Sequence, residues 1–288
     1  MTRSRPGWLK ALGHREPPAT IHIAGKEYRL AHVFKHDSWA ATAHYLPVQV
    51  PSSLEDGLVC KFNRIQPIMG VPMRWLGRWL AEREASALAQ LADLNGIPAP
   101  FGPITVDGQT QPHAVAHAFI PGAPLKHDDV VNDLFFPRLA RLLKQVHQRG
   151  YAYVDLHKRE NILVDEQGQP WLIDFQVHFR LASKTLARWP IMQCVLHALQ
   201  TGDFYHLSKH VQRLRPDQAH VLTDLPRERP WWIRLHRIVA VPLRQLRRQL
   251  LTMLGVRSGH GRAATAVFPE EAVRLAQQDT PTSTRRAA

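Results

Sequence analysis

The sequence contains little cysteine and no long apolar run, and each absence excludes a class of protein. Only Cys60 and Cys194 are present, far apart in the chain, so neither a disulfide framework nor a cysteine-based metal cluster is predicted. No stretch of about 18 apolar residues occurs, so no membrane-spanning helix is predicted. The N-terminal segment is basic but lacks the apolar run of a signal peptide. We therefore expect a protein of the reducing cytoplasm.

The order of the predicted elements divides the chain into two lobes. Its 288 residues, 44% of them hydrophobic and 21% charged, are enough to bury a sizeable core. Strand patterns and one helix over 74–95 dominate the first half, and helices with one hairpin dominate the second. This order predicts an α+β fold with a β-rich lobe, a mainly helical lobe and a ligand cleft between them. The predicted divisions are a loose arm over 1–19, a first lobe with its connector over 20–122, a helical lobe over 123–226, a basic amphipathic segment over 227–262 and a mostly disordered tail over 263–288.

Positive charge is concentrated towards the C-terminus. The net charge is +13, and residues 227–262 hold nine arginines, no lysine and one glutamate. Such a local excess predicts a surface that meets an anionic partner. Two interpretations of the apolar and basic residues 231–257 stay open: a helix of the second lobe with a solvated basic face, or an interfacial helix on an anionic membrane. Nucleic acid is disfavoured as a partner, because no nucleic-acid-binding fold accompanies the charge.

Polar residues collect at the base of a predicted hairpin between Tyr151 and Phe175. Its strands are the short apolar runs 162–164 and 171–173, and the segment between them contains Gly and Pro, as turns do. Asn161 precedes the first strand and Asp174 follows the second. In an antiparallel pair these positions lie at the same open end, with Asp155 a few residues upstream.

These residue types suit phosphoryl transfer. Mg²⁺ prefers oxygen ligands and needs only one or two from the protein, which Asn161 and Asp174 can supply. Phosphoryl transfer also needs an acid near the attacking hydroxyl, for which Asp155 is the candidate, and a cation on the nucleotide phosphates. Lys61 is that cation, since a lysine within an apolar strand is costly unless it is paired. Glu84 is the expected partner of Lys61.

Glu84 is preferred over its neighbour Glu82 because of the helix face on which it lies. Glu84 shares the apolar face of the predicted helix with Leu80 and Leu88, and that face turns inward. Glu82 lies outside this face and is expected to be solvated.

Together these residues resemble the protein-kinase-like superfamily, and among its members the atypical bacterial kinases related to lipopolysaccharide-core and RIO-type enzymes. The resemblance runs from about Ile21 to about Gln218. It implies a two-lobed kinase-like fold that binds ATP and Mg²⁺. It also implies that residues 114–122 form the hinge that holds adenine by backbone groups, with Ala116 and Ala118 as the candidates. The resemblance further implies that Lys61 and Glu84 bind the nucleotide phosphates, that Asp155 is catalytic, and that Asn161 and Asp174 bind the metal.

The sequence departs from the family pattern at several positions. No G-x-G-x-x-G motif is present, and the loop 36–42 would cover phosphate with backbone and hydroxyl groups, including those of Ser38 and Thr42. Val154 replaces the arginine of the His-Arg-Asp motif, and Gln176 stands where glycine is usual. Asp155 and Asn161 are six residues apart instead of five. The role of Lys158 is therefore open, and an approach to the γ-phosphate is one expectation.

The sequence thus predicts an ATP-dependent kinase that phosphorylates a hydroxyl group. The segment after Gln176 is short and no Ala-Pro-Glu follows, which favours a small or lipid-linked acceptor, although a protein Ser or Thr stays open. For the same reason, and because Val154 replaces arginine, we expect activity without activation-loop phosphorylation. The alternative is a nucleotide-binding pseudokinase that acts as a scaffold at the membrane surface. A peripheral position at the inner face of the membrane, through residues 231–257, is a further expectation.

Overall fold

The computed structural model describes residues 7–48, 57–68, 70–126, 128–181, 185 and 188–218. The predicted basic segment over 227–262, with its candidate membrane-binding stretch 231–257, and the predicted tail over 263–288 lie outside the described residues.

The first part of the chain forms a curled antiparallel sheet. Its seven described strands are β1 (Thr20–Ile23), β2 (Lys26–His36), β3 (Ala40–Pro47), β4 (Leu58–Asn63), β5 (Ile104–Val106), β6 (Gln109–Thr110) and β7 (Ala114–Ala118). Their order in the sheet is β6-β5-β1-β2-β3-β4-β7, and every neighbouring pair is antiparallel. Alternate residues such as Ala41, Ala43 and Tyr45 point into one apolar core, as the two-residue period of a strand requires.

Helix α1 (Arg74–Leu91) connects the sheet to the helical part. It ends four residues before the predicted boundary, and its last turns bury Ala87, Leu88 and Leu91 in the core of the helical part. Gly96 follows with a φ of +101°, a conformation that glycine adopts without strain. α1 therefore contributes to both halves of the molecule.

The second part contains two long helices and the predicted hairpin. Ile162 pairs with Leu172 across the hairpin, and a strand from the connector adds to its other edge. One apolar core joins the helices to this hairpin, and Phe135, Phe136 and Leu139 are fully buried in it. The elements are β8 (Gly122–Pro124), α2 (Phe135–Gln148), β9 (Tyr151–Ala152), β10 (Ile162–Asp165), β11 (Pro170–Leu172), β12 (Phe179–Arg180) and α3 (Pro190–Leu214).

The α+β class and the order of the two lobes, predicted from the sequence, are confirmed. The curled sheet with one helix is followed by the connector and then by the helical part with its hairpin, in the predicted order. Among the helices that the structure describes, none has the length and apolar character needed to cross a membrane.

Residues 7–19 differ from the loose arm that their composition suggests. Ala11 and Leu12 are buried against the sheet. Arg64, itself buried, donates hydrogen bonds to the carbonyl oxygens of Trp8 and Leu9 at 3.3 and 3.2 Å. A guanidinium carries five N–H donors, and here they fix an irregular segment that makes no ladder of its own.

Candidate active site

Lys61 lies at the centre of the candidate site. It is on β4, its side chain is 13% exposed, and its Nζ lies 3.2 Å from Oε2 of Glu84 and 2.7 Å from Oδ1 of Asp174. Glu84 comes from α1 and Asp174 from the end of the hairpin, so the lysine connects three elements. Glu82, the competing acid, lies on the exposed side of α1 and pairs with Arg78.

Burial and charge act in opposite directions on these three groups. Burial raises the pKa of Glu84 to about 7, although Lys61 opposes the shift. Burial would also raise the pKa of Asp174, but the charge and hydrogen bond of Lys61 lower it below its usual value. Burial disfavours the Lys61 cation, yet the two carboxylates raise its pKa. Asp174 is therefore the ionised partner of a charged lysine.

Asp174 reaches the lysine through an unusual backbone conformation. Its φ of 61° and ψ of 69° lie in the left-handed region, which Asp tolerates better than most residues. Two backbone N–H groups after it act on the acids of the site: that of Phe175 opposes the rise in the pKa of Glu84, and that of Gln176 helps to lower the pKa of Asp174. The turn thereby aims the carboxylate at Lys61 and ties the hairpin end to α1.

Asp155 forms a second polar cluster in the turn between β9 and β10. Its carboxylate is almost completely buried, and Oδ2 accepts hydrogen bonds from Lys158 Nζ at 2.7 Å and Asn161 Nδ2 at 3.0 Å. His157 Nδ1 lies 3.3 Å from Oδ1. The six-residue spacing between Asp155 and Asn161 is thus taken up by a compact turn that returns Asn161 to the aspartate.

The oxygen atoms of Asn161 and Asp174 have the chemistry that Mg²⁺ prefers. Asn161 has its Nδ2 hydrogen bonded to Asp155, which leaves its side-chain oxygen to act as an acceptor. Ile173 donates its backbone N–H to the carbonyl oxygen of Asn161 at 3.1 Å. Asp174 is the residue after Ile173, so this hydrogen bond holds its backbone next to that of Asn161. No group of three or more His, Cys, Asp or Glu side chains among the described residues is arranged to hold a metal. One carboxylate and one amide are nevertheless sufficient for an ion that keeps several waters.

In the turn between β2 and β3, the backbone N–H groups are bound by a carboxylate of the turn itself. Asp37 Oδ1 accepts hydrogen bonds from the N–H groups of Trp39 at 2.6 Å and Ala40 at 3.0 Å. The Ser38 carbonyl oxygen accepts a hydrogen bond of 2.6 Å from Arg64. Thr42 pairs directly with Lys61 across β3 and β4, so both side chains share one face of the sheet. Thr42 is therefore beside the site, whereas Ser38 is at the tip of a braced turn.

The backbone oxygens of Ala116 and Ala118 already accept one hydrogen bond each. Ala116 O accepts from the N–H of Phe101 at 2.9 Å, and Ala118 O lies 2.8 Å from His117 Nδ1. The N–H of Ala118 donates to Ala99 O at 2.8 Å. A carbonyl oxygen has two lone pairs, so a ligand would be a second donor at these positions.

Asp203, on α3, is a site residue that the sequence reasoning missed. Its buried carboxylate accepts hydrogen bonds from the N–H groups of Tyr153 at 2.8 Å and Val154 at 2.7 Å, and it lies 3.0 Å from His147 Nε2. Val154 has a φ of 70°, a strained conformation for a β-branched residue. Asp203 thus holds the strained turn that carries Asp155. A charged residue among apolar ones is costly unless it is paired. This cost singled out Lys61, and it could also have identified Asp203 within its helix.

A polar bridge joins the segment after Asp174 to the sheet and to α1. Gln176 donates from its side chain to Oδ1 of Asn63, which is fully buried two residues after Lys61. From α1, Arg83 donates to the carbonyl oxygens of Gln176 and His178. The side chain of Gln176 therefore adds a contact between the lobes that a glycine at this position could not make.

Comparison with known proteins adds a distant likeness of fold. No protein-family model matches the chain, and no curated protein does. Among solved structures, the chain is similar to the Rio2 kinase from Chaetomium thermophilum, with a TM-score of 0.46 and 14% identity over 67% of this chain and 58% of that one. It is also similar to the Rio2 kinase-ADP/Mg²⁺-phosphoaspartate complex from the same organism, with a TM-score of 0.45 and 14% identity over 66% and 56% of the two chains. The chain spans less than two thirds of both, and at this identity the likeness concerns the fold alone.

Proposed function

We propose that the protein is an ATP- and Mg²⁺-dependent phosphotransferase that transfers the γ-phosphate to a hydroxyl acceptor. The observation that carries this proposal is the pairing of Lys61 with both Glu84 and Asp174 across the cleft. A buried cation held by two acids from different elements is costly to build. Such a cation suits a nucleotide-binding site, because the phosphate oxygens can replace one of the two acids as its partner.

Each side chain has a role in this proposal. Lys61 binds the nucleotide phosphates and Glu84 orients it. Asp155 accepts a hydrogen bond from the acceptor hydroxyl and takes its proton, and Lys158 faces the transferred group. Thr42 and Ser38 lie along the phosphates, and the backbone of Ala116 and Ala118 lies along the base. Asn161 and Asp174 would hold Mg²⁺, which when bound supplies positive charge to the phosphate oxygens.

Transfer of labelled phosphate tests this function. The full chain is incubated with γ-labelled ATP, Mg²⁺ and a fractionated cell-envelope extract or a mixture of proteins. Uptake of label by one fraction identifies the acceptor class, a saccharide or lipid in the first case and a protein Ser or Thr in the second. Lys61→Met should abolish the uptake, and Lys10→Met, which breaks an ion pair outside the site, should retain it.

A pseudokinase scaffold is the second candidate, favoured by the turn at Asp37. Its carboxylate takes the N–H groups of Trp39 and Ala40 that a phosphate could otherwise use. A scaffold would bind nucleotide without turnover and would keep its biological role when Asp155 is replaced by Asn. Loss of that role in Asp155→Asn would exclude it.

Contact with an anionic membrane through residues 231–257 belongs to this proposal and lies outside the described residues. Each arginine near an anionic leaflet contributes about 1 kcal/mol, which supports reversible attachment. Replacing Arg244, Arg247 and Arg248 with Gln should release the chain from anionic vesicles at low salt and leave ATP binding intact. If the wild type does not bind anionic vesicles at low salt, membrane attachment is refuted, and the proposed kinase activity is unaffected.

A further inference from the structure

His117, on β7, faces the cleft next to Lys61. It pairs directly with Val59, which precedes Lys61 by two residues on β4, and directly paired residues share a face of the sheet. The Lys61 side chain on this face reaches Asp174 in the helical part. The charges of Lys61 and Asp174 both act on the pKa of the imidazole, although burial is the larger influence and lowers that pKa to about 4. The ring is therefore inside the candidate site.

One hydrogen bond fixes the tautomer of His117. Nδ1 lies 2.8 Å from the carbonyl oxygen of Ala118. A carbonyl oxygen can only accept, so Nδ1 carries the proton. A neutral imidazole has a single N–H, and Nε2 is then an acceptor without a proton. The residue is 9% exposed, so the ring is desolvated but not sealed.

An aromatic wall lies on the same face, next to His117. His44 also pairs with Val59, and its ring lies 4.3 Å from that of Phe119 and 6.0 Å from that of Phe34, centroid to centroid. Phe34, Val59 and Phe119 form one buried cluster. The Nε2 atom of His44 is buried without a hydrogen-bond partner among the described residues. These buried rings make the surroundings of His117 on this side apolar and aromatic, which suits a site for a heteroaromatic ring.

We propose that His117 selects the base of the nucleotide, with Nε2 accepting a hydrogen bond from the exocyclic amine of adenine. Guanine carries a carbonyl oxygen in place of that amine. Two acceptors would then face each other in a desolvated site, each without a donor, which disfavours GTP. This inference rests on the proposed ATP-dependent function and adds to it the side chain that reads the base and the resulting discrimination against GTP.

Binding of ATP and GTP to the full chain, measured by calorimetry, tests the inference without reliance on turnover. The wild type should prefer ATP by roughly tenfold or more. His117→Leu and His117→Phe, which lack the acceptor, should weaken ATP binding by about the same factor. They should not weaken GTP binding, because two acceptors no longer face each other, and the preference for ATP should be removed. His113→Leu is the matched control, because His113 contacts Phe62 on the opposite face of the sheet. Circular dichroism establishes that each variant is folded.

A measurement on the wild type keeps the test independent of the variants. The ¹⁵N spectrum of the histidines should show His117 protonated at Nδ1, with an Nε2 resonance that shifts when ATP binds and not when GTP is added. ATP binding with an unchanged ATP-to-GTP ratio in both variants, or an Nε2 resonance that ATP does not move, would overturn the role of His117 alone. Absence of binding by either nucleotide would overturn the proposed function as well.

Discussion

The Nζ of Lys61 lies 2.7 Å from Oδ1 of Asp174, a residue 113 positions away in the chain. This contact joins the sheet to the hairpin of the helical part. Since Lys61 also lies 3.2 Å from Oε2 of Glu84, one cation compensates two acids, the buried Glu84 and the half-buried Asp174. Removal of that cation leaves both acids without compensation, whereas removal of one acid leaves a simple pair.

Lys61→Met should therefore lower the free energy of unfolding by roughly 3 kcal/mol, because breaking a buried pair from one side leaves an uncompensated charge. Adding Glu84→Gln to Lys61→Met should recover part of the loss, since it removes one of the two orphaned acids. Urea denaturation of the single and double variants measures this. Lys10→Met, which breaks a more exposed pair with Glu16, should cost about 1 kcal/mol or less. Equal losses from Lys61→Met and Lys10→Met would contradict the account.

Asp203→Asn should disturb the turn that carries Asp155. Asparagine replaces one acceptor oxygen by a donor, so one of the N–H groups of Tyr153 and Val154 loses its partner. Leaving a buried N–H unsatisfied costs about 1–3 kcal/mol, and the strained Val154 conformation is then free to relax. We expect a drop of that size in unfolding free energy and faster hydrogen exchange at Val154. The exposed acid Asp128 provides the control as Asp128→Asn, and equal behaviour of the two variants would count against a role for Asp203.

The bridge between Gln176 and Asn63 should hold the Asp174 turn in place without phosphorylation. A double-mutant cycle of Gln176→Ala and Asn63→Ala should give a coupling energy of about 1 kcal/mol. Hydrogen exchange in residues 174–178 should accelerate in Gln176→Ala, and Gln167→Ala, at an exposed position of the hairpin loop, should leave it unchanged. A coupling energy of zero would show that the bridge does not hold the turn. A large gain in activity after phosphorylation at Thr185 would contradict activity without modification.

Burial of His44 should contribute a loss of stability as the pH drops from about 6.5 to about 4. Burial lowers the pKa of His44 from its ordinary value of 6.5 to about 4, so within this window the unfolded chain binds a proton that the folded chain does not. Each such group contributes at most about 1.4 kcal/mol per pH unit. The slope of unfolding free energy against pH should be shallower in His44→Phe, and the matched variant His14→Phe removes an exposed imidazole. An identical slope in the wild type and His44→Phe would refute a neutral, buried His44.

Local pattern and cost arguments predicted much of the fold and part of the site. The two-residue alternation of the strands, the apolar face of the helix predicted over 74–95 and the hairpin between Tyr151 and Phe175 are all local signals. The pairing of Lys61 with Glu84 follows from the cost of a buried lysine together with one helix face. These arguments need only nearby residues, which is why they placed both charged groups.

The features that the sequence did not predict depend on contacts between distant segments. Asp203 accepts hydrogen bonds from a turn 49 and 50 residues away. The spacing of apolar residues along the chain cannot predict such a contact. Arg64 binds carbonyl oxygens of Trp8 and Leu9 at separations of 56 and 55 residues, so a segment of loop-like composition is held in place. The contact between Gln176 and Asn63 likewise depends on how the lobes meet.

The central claim, that the cluster around Lys61 and Asp174 transfers phosphate, is tested most directly by Asp174→Asn. The measurement is the rate of label transfer from γ-labelled ATP to a validated acceptor, beside Asp155→Asn and the control Asp128→Asn. We expect no transfer by Asp174→Asn, a loss of at least about 100-fold in Asp155→Asn, and wild-type transfer by the control, with all three variants folded. Wild-type turnover by folded Asp174→Asn would contradict it.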